Sequence, residues 1–426
     1  MRYPCGRVAM LGMLLLLWVQ TVGFGQTPPP DLADLPPPVP VAQQLTLDQA
    51  LTLAQSRNPL MTATVHQIAG AKANLHGQSA PLNPILNLTG QTNTSDFFDP
   101  SDPTKYGLVT TFEISGRQRL RTHQARAQLQ GTEADAESTR LSVREATASA
   151  YIDLQVKNRD LDTEKQAYDI AKRLADLTEQ QVQLGDASEA TALRARIELT
   201  KEENNLIKAA DDVKQARATL NVQLGRAPET PIDAADPLTY TPLTLDLPML
   251  QQQAMQFRPE LRAAAASRRA LEAALGLQRS QYLPDFVVGV NPLGARNGQV
   301  ELGVSFPLFD LGSIRGQVRK AQEDVKAQDA QIEQVRQVIR LDVQSAYLAV
   351  KRAQRLITSF QDGILPRAES LLQRVQQSLA LGASSILDVI DAQQTYRTTR
   401  NDYDAALGDY RRAIAQLERA IGAPIK

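Results

Sequence analysis

Two carboxylates, Asp388 and Asp391, follow a glycine-containing turn and form the residue pair whose type and spacing most favour a functional role. Side chains three residues apart in a helix lie on the same face, so this pair concentrates negative charge there. Ser385 is a candidate N-cap, and Asp388 then completes a capping-box-like Ser-x-x-Asp pattern. Asp388 is therefore either a structural cap or a functional carboxylate, whereas Asp391 lies too deep in the helix to cap it.

Groups suited to enzymatic or metal chemistry are scarce. The three histidines, His66, His76 and His123, match no metal-ligand spacing. No glycine-rich phosphate loop or nucleophile motif is found. The 46 basic and 47 acidic residues nearly cancel, which gives no electrostatic argument for binding nucleic acid. The sequence therefore predicts neither an enzyme nor a resident metal or cofactor.

The first 25 residues have the pattern of an export signal, with a basic start, an apolar core at 8–19 and a small-x-small site ending at Gly25. Cleavage is expected near Gly25, because the apolar run is too short for the alternative of a membrane anchor. Cys5 precedes the apolar core, which argues against a lipid-modified N-terminal cysteine. Residues 26–44 contain two triple-proline runs and predict an extended leader.

Two stretches, 120–182 and 319–379, hold almost no proline or glycine, and each predicts a helix of about 90 Å at 1.5 Å per residue. Their helix bounds are expected at about 118–184 and 315–380. Apolar residues in the second stretch recur at steps of three, four or seven, as in a coiled coil. The residues of this stripe are Ile332, Val335, Ile339, Ala346, Val350, Ala353 and Ile357.

The chain repeats its pattern once. Leu-Gly-Asp-Ala-Ser at 184–188 matches Leu-Gly-Ala-Ser-Ser at 381–385, and Arg-Asn-Pro-Leu at 57–60 matches Arg-Pro-Glu-Leu at 258–261. A period of roughly two hundred residues is too long for a solenoid and indicates two pseudo-equivalent halves. The predicted halves are 45–226 and 249–426, joined by a connector at 227–248 that is rich in Pro, Asp and Thr.

Each half also contains two strand-like segments, expected at about 85–94 and 106–114 and at about 285–291 and 300–309. The last segment alternates, with one apolar face that we expect to contact lipid, formed by Val300, Leu302, Val304 and Phe306. A soluble hairpin is the alternative interpretation. If the strands span a membrane, four cannot close a barrel, and three chains would supply twelve, an even number within the known range.

The double layout resembles the TolC family of outer-membrane efflux proteins over nearly all of 45–424. The resemblance rests on five motifs, namely Leu-Asp-Gln-Ala-Leu at 47–51, Arg-Pro-Glu-Leu at 258–261, Tyr-Leu-Pro at 282–284, Phe-Pro-Leu-Phe at 306–309 and Leu-Asp-Val-Ile-Asp-Ala-Gln at 387–393. The segments at 112–119 and 306–316 look most like the heavy-metal, CzcC-like branch. The resemblance implies a mainly α fold with a small β part, in which a homotrimer closes a twelve-stranded outer-membrane barrel above a long coiled-coil α-barrel.

The resemblance also implies a function, partners and site residues. The function is passive export from the periplasm across the outer membrane of a Gram-negative-type bacterium, with a periplasmic adaptor and an inner-membrane pump, of the RND type, as partners. Asp388 and Asp391 would form a periplasmic gate that prefers cations. The two helical turns would be adaptor-docking tips or would merely close two hairpins; their residues are Gly185, Asp186, Ser188, Gly382, Ser384 and Ser385. A soluble periplasmic coiled-coil adaptor is the alternative function, which the duplicated halves and paired short strands disfavour.

Overall fold

The computed structural model describes residues 43–83, 85–88, 106–113, 115–291, 299–305 and 309–425. The predicted export signal, its cleavage site at Gly25 and most of the proline-rich leader lie outside these residues. Phe306 and the predicted strand residues 89–94 lie outside them as well. Within the described part, no helix combines the length and the apolar character that a membrane crossing requires.

Both halves contain a short helix, a medium helix and a long helical hairpin. The helices of the first half are α1 (Leu47–Arg57), α2 (Pro59–Ser79), α3 (Arg117–Leu184) and α4 (Glu189–Gln223). Those of the second half are α5 (Leu247–Phe257), α6 (Pro259–Ser280), α7 (Ser313–Ser359), α8 (Leu365–Ala380) and α9 (Ile386–Ile421). The breaks follow from local sequence, because Pro59 and Pro259 each occupy the first turn of a new helix.

The two long helical stretches differ in one respect. Helix α3 is continuous over 68 residues, about 100 Å at 1.5 Å per residue. In the second half, a π-helical turn, Phe360–Ile364, separates α7 from α8 within the helix predicted at about 315–380. Pro366 explains the turn, because its ring lacks an N–H and clashes with the carbonyl four residues earlier in a regular α-helix.

The strands form two sheets. Strands β1 (Gln43–Leu45) and β4 (Ile232–Ala234) pair in parallel, whereas β2 (Ile85–Leu88), β3 (Tyr106–Phe112), β5 (Asp285–Asn291) and β6 (Gln299–Ser305) form an antiparallel sheet in the order β2-β3-β5-β6. The register pairs Thr110 with Val288 and Val288 with Leu302, so the central β3–β5 ladder joins the two halves. Among the described strands, β2 and β6 are edges with one unpaired side each.

The predicted leader and connector take part in regular structure at their ends. The last leader residues belong to β1, and the connector predicted at 227–248 contains β4 and reaches the first residues of α5. Two buried tyrosines fasten β1 and the connector to the long helices. Tyr151 on α3 donates a hydrogen bond of 2.9 Å to the carbonyl of Leu45, and Tyr410 on α9 donates one of 2.6 Å to the carbonyl of Thr241.

The predicted apolar stripe of α7 lies in the protein core. Ile339, Val350 and Ile357 are fully buried, and Val335 is half-buried against the same cluster. This cluster gathers mainly second-half residues, while a second cluster packs Tyr151, Leu220 and other first-half residues. Burial of such stripes, rather than intrinsic helix propensity, stabilises helices in folded proteins.

In each half, the end of the last long helix packs against the break between the first two helices. Gly225 follows α4 with φ +66, and a methyl group there would clash with the carbonyl of Arg57. Gly422 follows α9 with φ +81, and a methyl group there would lie 3.0 Å from the carbonyl of Phe257. The duplicated sequence therefore corresponds to a duplicated packing arrangement in which a glycine permits close approach of two backbones.

Candidate functional site

The second helical turn connects α8 to α9 and carries the two predicted gate carboxylates. Ser385 caps α9, and the box is reciprocal: Ser385 Oγ accepts from the N–H of Asp388 at 3.2 Å, and Asp388 Oδ2 accepts from the N–H of Ser385 at 2.8 Å. The predicted cap is confirmed. These hydrogen bonds lower the pKa of Asp388. The cap therefore stabilises the start of α9 at neutral pH, and its charged contribution is lost as the pH falls through that lowered pKa.

Asp391 lies one turn further into α9 and is exposed. Its backbone carbonyl accepts a 3.0 Å hydrogen bond from Thr395 Oγ1. Among the described residues, its carboxylate has no hydrogen bond and no cationic side chain within 4.0 Å. Asp388 thus has a structural role as a cap, whereas the carboxylate of Asp391 is available to ions in solution.

The first helical turn, between α3 and α4, has the same geometry as the second. In both, an exposed glycine of positive φ ends the helix, Gly185 with φ +83 and Gly382 with φ +72. In both, the next residue donates a 2.8 Å hydrogen bond to a carbonyl five residues back, from Asp186 to Gln181 and from Ala383 to Ser378. This pattern is the Schellman motif.

The next helix begins on a serine cap in both turns. Ser188 accepts from the N–H of Thr191 at 3.2 Å, as Ser385 does from Asp388. Ser188 and Ser385 are exposed and Ser384 is half-buried. The leucine before each glycine, Leu184 and Leu381, is also exposed. Two apolar, solvent-facing tips result, and their role in docking an adaptor stays a prediction.

A buried charged cluster that the sequence analysis missed joins three helices beyond the second turn. Arg397 on α9 contacts Glu164 on α3 and Glu202 on α4. Glu164 is 8 % exposed and Glu202 is 3 % exposed, so both carboxylates are nearly removed from water. Asn401 donates to Glu164 and Asn205 donates to Glu202, each at 3.1 Å.

The same face of α9 continues this cluster. Asp404 is 1 % exposed and forms ion pairs with Arg159 of α3 at 2.9 Å and with Arg400 at 3.3 Å. The spacing of Arg397, Arg400 and Asp404, at steps of three and four, is the sequence signal that marks these groups as sharing one helix face. The hairpin that carries the predicted gate is thereby held to the α3–α4 hairpin by buried charges.

The predicted lipid-facing residues lie on the edge strand β6. Val300, Leu302 and Val304 are all exposed in the single chain, and Leu302 is the most exposed at 78 %. The fourth member, Phe306, lies outside the described residues. Exposed apolar side chains along an unpaired strand edge are unusual for a soluble domain. Whether they contact lipid stays a prediction.

Possible metal ligands are not clustered in the described residues. Nowhere in that part of the chain do three or more His, Cys, Asp or Glu side chains come together in a way that would hold an ion. The arrangement of exposed carboxylates at a helical turn instead suits transient attraction of cations.

Comparison with known proteins is consistent with the geometry. Residues 50–226 and 250–423 match the family model described as outer membrane efflux protein. The cobalt-zinc-cadmium resistance protein CzcC of Cupriavidus metallidurans is 25 % identical over 393 residues, which cover 90 % of this chain and 92 % of that protein. The nickel and cobalt resistance protein CnrC of the same organism is 27 % identical over 331 residues, 72 % of this chain and 73 % of that protein.

Among solved structures, the CmeC outer membrane channel of Campylobacter jejuni has a TM-score of 0.76 at 16 % identity, covering 88 % of this chain and 85 % of that one. The likeness in fold agrees with the predicted TolC-like architecture. The family and its structural neighbours are channels rather than enzymes. The chain therefore belongs to the outer membrane efflux protein family and is an outer-membrane exit duct for efflux.

Proposed function

We propose that three copies of this chain assemble into the duct, which conducts cargo passively from the periplasm to the exterior. The observation that carries the proposal is the four-stranded sheet with two unpaired edges, β2 and β6. Unpaired backbone groups cannot face lipid, so one chain cannot form the membrane wall alone. Strand β6 of one copy pairs with β2 of the next, and three copies give a closed twelve-stranded barrel.

The helices support the same assembly. Apolar side chains remain exposed on both outer helices of the single chain, on α4 at Leu193, Ile197 and Ile207 and on α7 at Leu341 and Leu348. If helices of several copies surround a water-filled shaft, these exposed apolar side chains pack against the helices of the neighbouring copies, as knobs into holes in a coiled coil.

Membrane extraction tests the proposal. The processed protein should require detergent and migrate as a heat-sensitive trimer, and a water-soluble monomer would refute it.

We further propose that Asp388 and Asp391 form the periplasmic gate. Three copies bring six carboxylates towards one axis, and crowding of like charges raises some of their pKa values. The cap hydrogen bonds oppose that rise at Asp388. Among the described residues, the carboxylate of Asp391 has no such hydrogen bonds, so it is the residue that should respond more to multivalent cations.

Single-channel recording tests the gate. Asp391→Asn should lower both the preference for cations and the block by multivalent cations. Asp388→Asn should have a smaller effect on block, because the carboxylate of Asp388 is already engaged by the N–H and the hydroxyl of Ser385. Unchanged selectivity in both variants would refute the gate.

We propose divalent transition-metal cations as the cargo, delivered by a periplasmic adaptor that contacts the two helical tips and by an RND-type pump of the inner membrane. The two relatives named for resistance to cobalt, zinc, cadmium and nickel support this choice. Deletion of the gene should lower the tolerated concentrations of these metals and leave the tolerance of dyes and antibiotics unchanged. The reverse pattern would assign organic cargo instead.

A further inference from the structure

The junction between the sheet and the helices concentrates positive charge. Four residues separate β3 from α3, four separate α6 from β5, and seven separate β6 from α7. Four exposed arginines lie within two turns of these helix ends, namely Arg119, Arg279, Arg315 and Arg319. Within the described residues, none of them has a carboxylate within 4.0 Å.

The nearby acidic groups are already engaged. Glu113 forms a 2.6 Å ion pair with Arg121, and Asp285 is paired with Arg117. Asp310 accepts hydrogen bonds from the N–H groups that start α7, including Ile314 at 3.1 Å, and from the hydroxyl of Tyr282 at 2.9 Å. Among the described side chains, the four arginines therefore leave the junction with a net positive charge.

Helix stability explains the position of Arg279, which lies in the last turn of α6, but not the positions of Arg119 and Arg315. Arg119 is the third residue of α3 and Arg315 the third residue of α7, at equivalent places in the two halves. The first turn of a helix is the positive end of its dipole, where a cation is unfavourable and an anion is favourable. Cationic side chains at two such positions point to an anionic partner outside the chain.

Large apolar side chains are exposed at the same junction. Leu311 is 98 % exposed and Phe309 is 83 % exposed, directly before α7, and Tyr282 and Leu283 are exposed directly after α6. Aromatic residues and arginines side by side at one depth are typical of the boundary between a bilayer and water. A neighbouring copy of this chain fits less well, because the described start of α3 and end of α2 add no unpaired acidic residue.

We infer that this junction, which we call the arginine belt (Arg119, Arg279, Arg315 and Arg319), binds anionic phospholipid in the periplasmic leaflet of the outer membrane. Phe309 and Leu311 enter the boundary of the acyl chains, and the guanidinium groups pair with the phosphates. The inference rests on the proposed trimeric duct, since only the closed barrel places the belt at the membrane surface.

Native mass spectrometry of the purified trimer in neutral detergent tests the belt. Phosphatidylglycerol or phosphatidylethanolamine is titrated into the wild type and into the Arg315→Gln/Arg319→Gln variant. Each arginine near a membrane surface contributes about fivefold to binding of anionic lipid, so the double variant should bind phosphatidylglycerol about 25-fold more weakly. Its binding of phosphatidylethanolamine should not change, and the wild-type preference for phosphatidylglycerol should decrease with salt.

The matched control is Arg340→Gln/Arg352→Gln, which removes two exposed arginines of α7 at least about 30 Å further along the same helix. This control should bind lipid as the wild type does. Equal losses in the two double variants, or no wild-type preference between the lipids, would overturn the inference. A changed ion selectivity with unchanged lipid binding would also overturn it, because the arginines would then face the channel.

The same spectra separate the two proposals. Absence of a trimer in the wild type counts against the proposed duct, whereas a trimer without lipid preference counts against the arginine belt alone. If the Arg315→Gln/Arg319→Gln variant does not assemble, Arg119→Gln/Arg279→Gln replaces it, with the same expected and contradicting results.

Discussion

Replacement of Arg397 by glutamine should loosen the hairpin that carries the gate. Arg397 is the shared cationic partner of Glu164 on α3 and Glu202 on α4. The substitution leaves two nearly buried carboxylates, each with one amide donor, Asn401 or Asn205. Removing one partner of a buried ion pair typically costs 3–5 kcal/mol, mostly because a charge stays buried without compensation. The remaining amide donors place the expected cost at the lower end, about 3 kcal/mol.

Native-state hydrogen exchange reports this local cost directly, because protection of amides follows the free energy of local opening. A cost of about 3 kcal/mol corresponds to a loss of protection of roughly a hundredfold in α9 near Arg397. Single-channel recordings should show more frequent open events, since the α8–α9 hairpin is then less firmly held to α3 and α4. Adding Glu202→Gln should restore part of the protection by removing one of the stranded charges.

The matched control is Arg196→Gln, which breaks the exposed pair between Arg196 and Glu179. Exposed pairs contribute about 0.2–1 kcal/mol, so protection should fall less than about sixfold. Similar losses in the Arg397 and Arg196 variants, or an unchanged Arg397→Gln variant, would show that the buried cluster does not hold the hairpins together.

Three further predictions concern other contacts. Burial raises the pKa of Tyr151 to about 12. The folded chain then holds this proton more tightly than the unfolded chain, so the contribution of Tyr151 to stability should be constant below about pH 10 and be lost as the pH rises from about 10 to 12. Unfolding measured against pH should show a smaller loss of stability over this range in Tyr151→Phe. Gly185→Ala should lower the free energy of unfolding by about 1–2 kcal/mol, because the backbone at this position is left-handed. Gly225→Ala should lower it by clearly more, because the added methyl group also clashes with the carbonyl of Arg57. The denaturant midpoints of the two variants test this order. Ser385→Ala should destabilise the start of α9 in hydrogen exchange and leave ion selectivity unaltered, unlike Asp391→Asn.

Much of the fold was predictable because it depends on local sequence patterns. The stripe of α7, the prolines at Pro59 and Pro259 and the serine cap at Ser385 each follow from rules that act within a few residues. Because the sequence pattern is duplicated, the helices and strands expected in the first half are also expected in the second. The four-stranded sheet was predicted as segments, and its order was not, because pairing of β3 with β5 joins residues far apart in the chain.

The features that the sequence did not reveal depend on contacts between distant residues. The cluster around Arg397 forms only when α3, α4 and α9 lie side by side. Each of these helices carries many charged residues, so the sequence does not show which of them form ion pairs. The strand β4 within the connector is three residues long and forms only because β1 lies beside it. The sequence does not decide whether Asp388 caps a helix or forms a gate, and its hydrogen bonds with Ser385 establish the cap alone.

The central claim is that β6 of one copy pairs with β2 of the next, and disulfide cross-linking tests it most directly. Within one chain these edges are separated by three strand spacings, about 14 Å, which is beyond the reach of a disulfide. By the pairing register, positions 303 and 305 share a sheet face with position 85. In a Cys5→Ser background, Ile85→Cys is combined with Gly303→Cys or Ser305→Cys. Oxidation in the membrane should give covalent dimers and trimers for at least one combination and none for the single cysteines. Monomers alone from both combinations, together with a chain that stays soluble without detergent, would contradict the account.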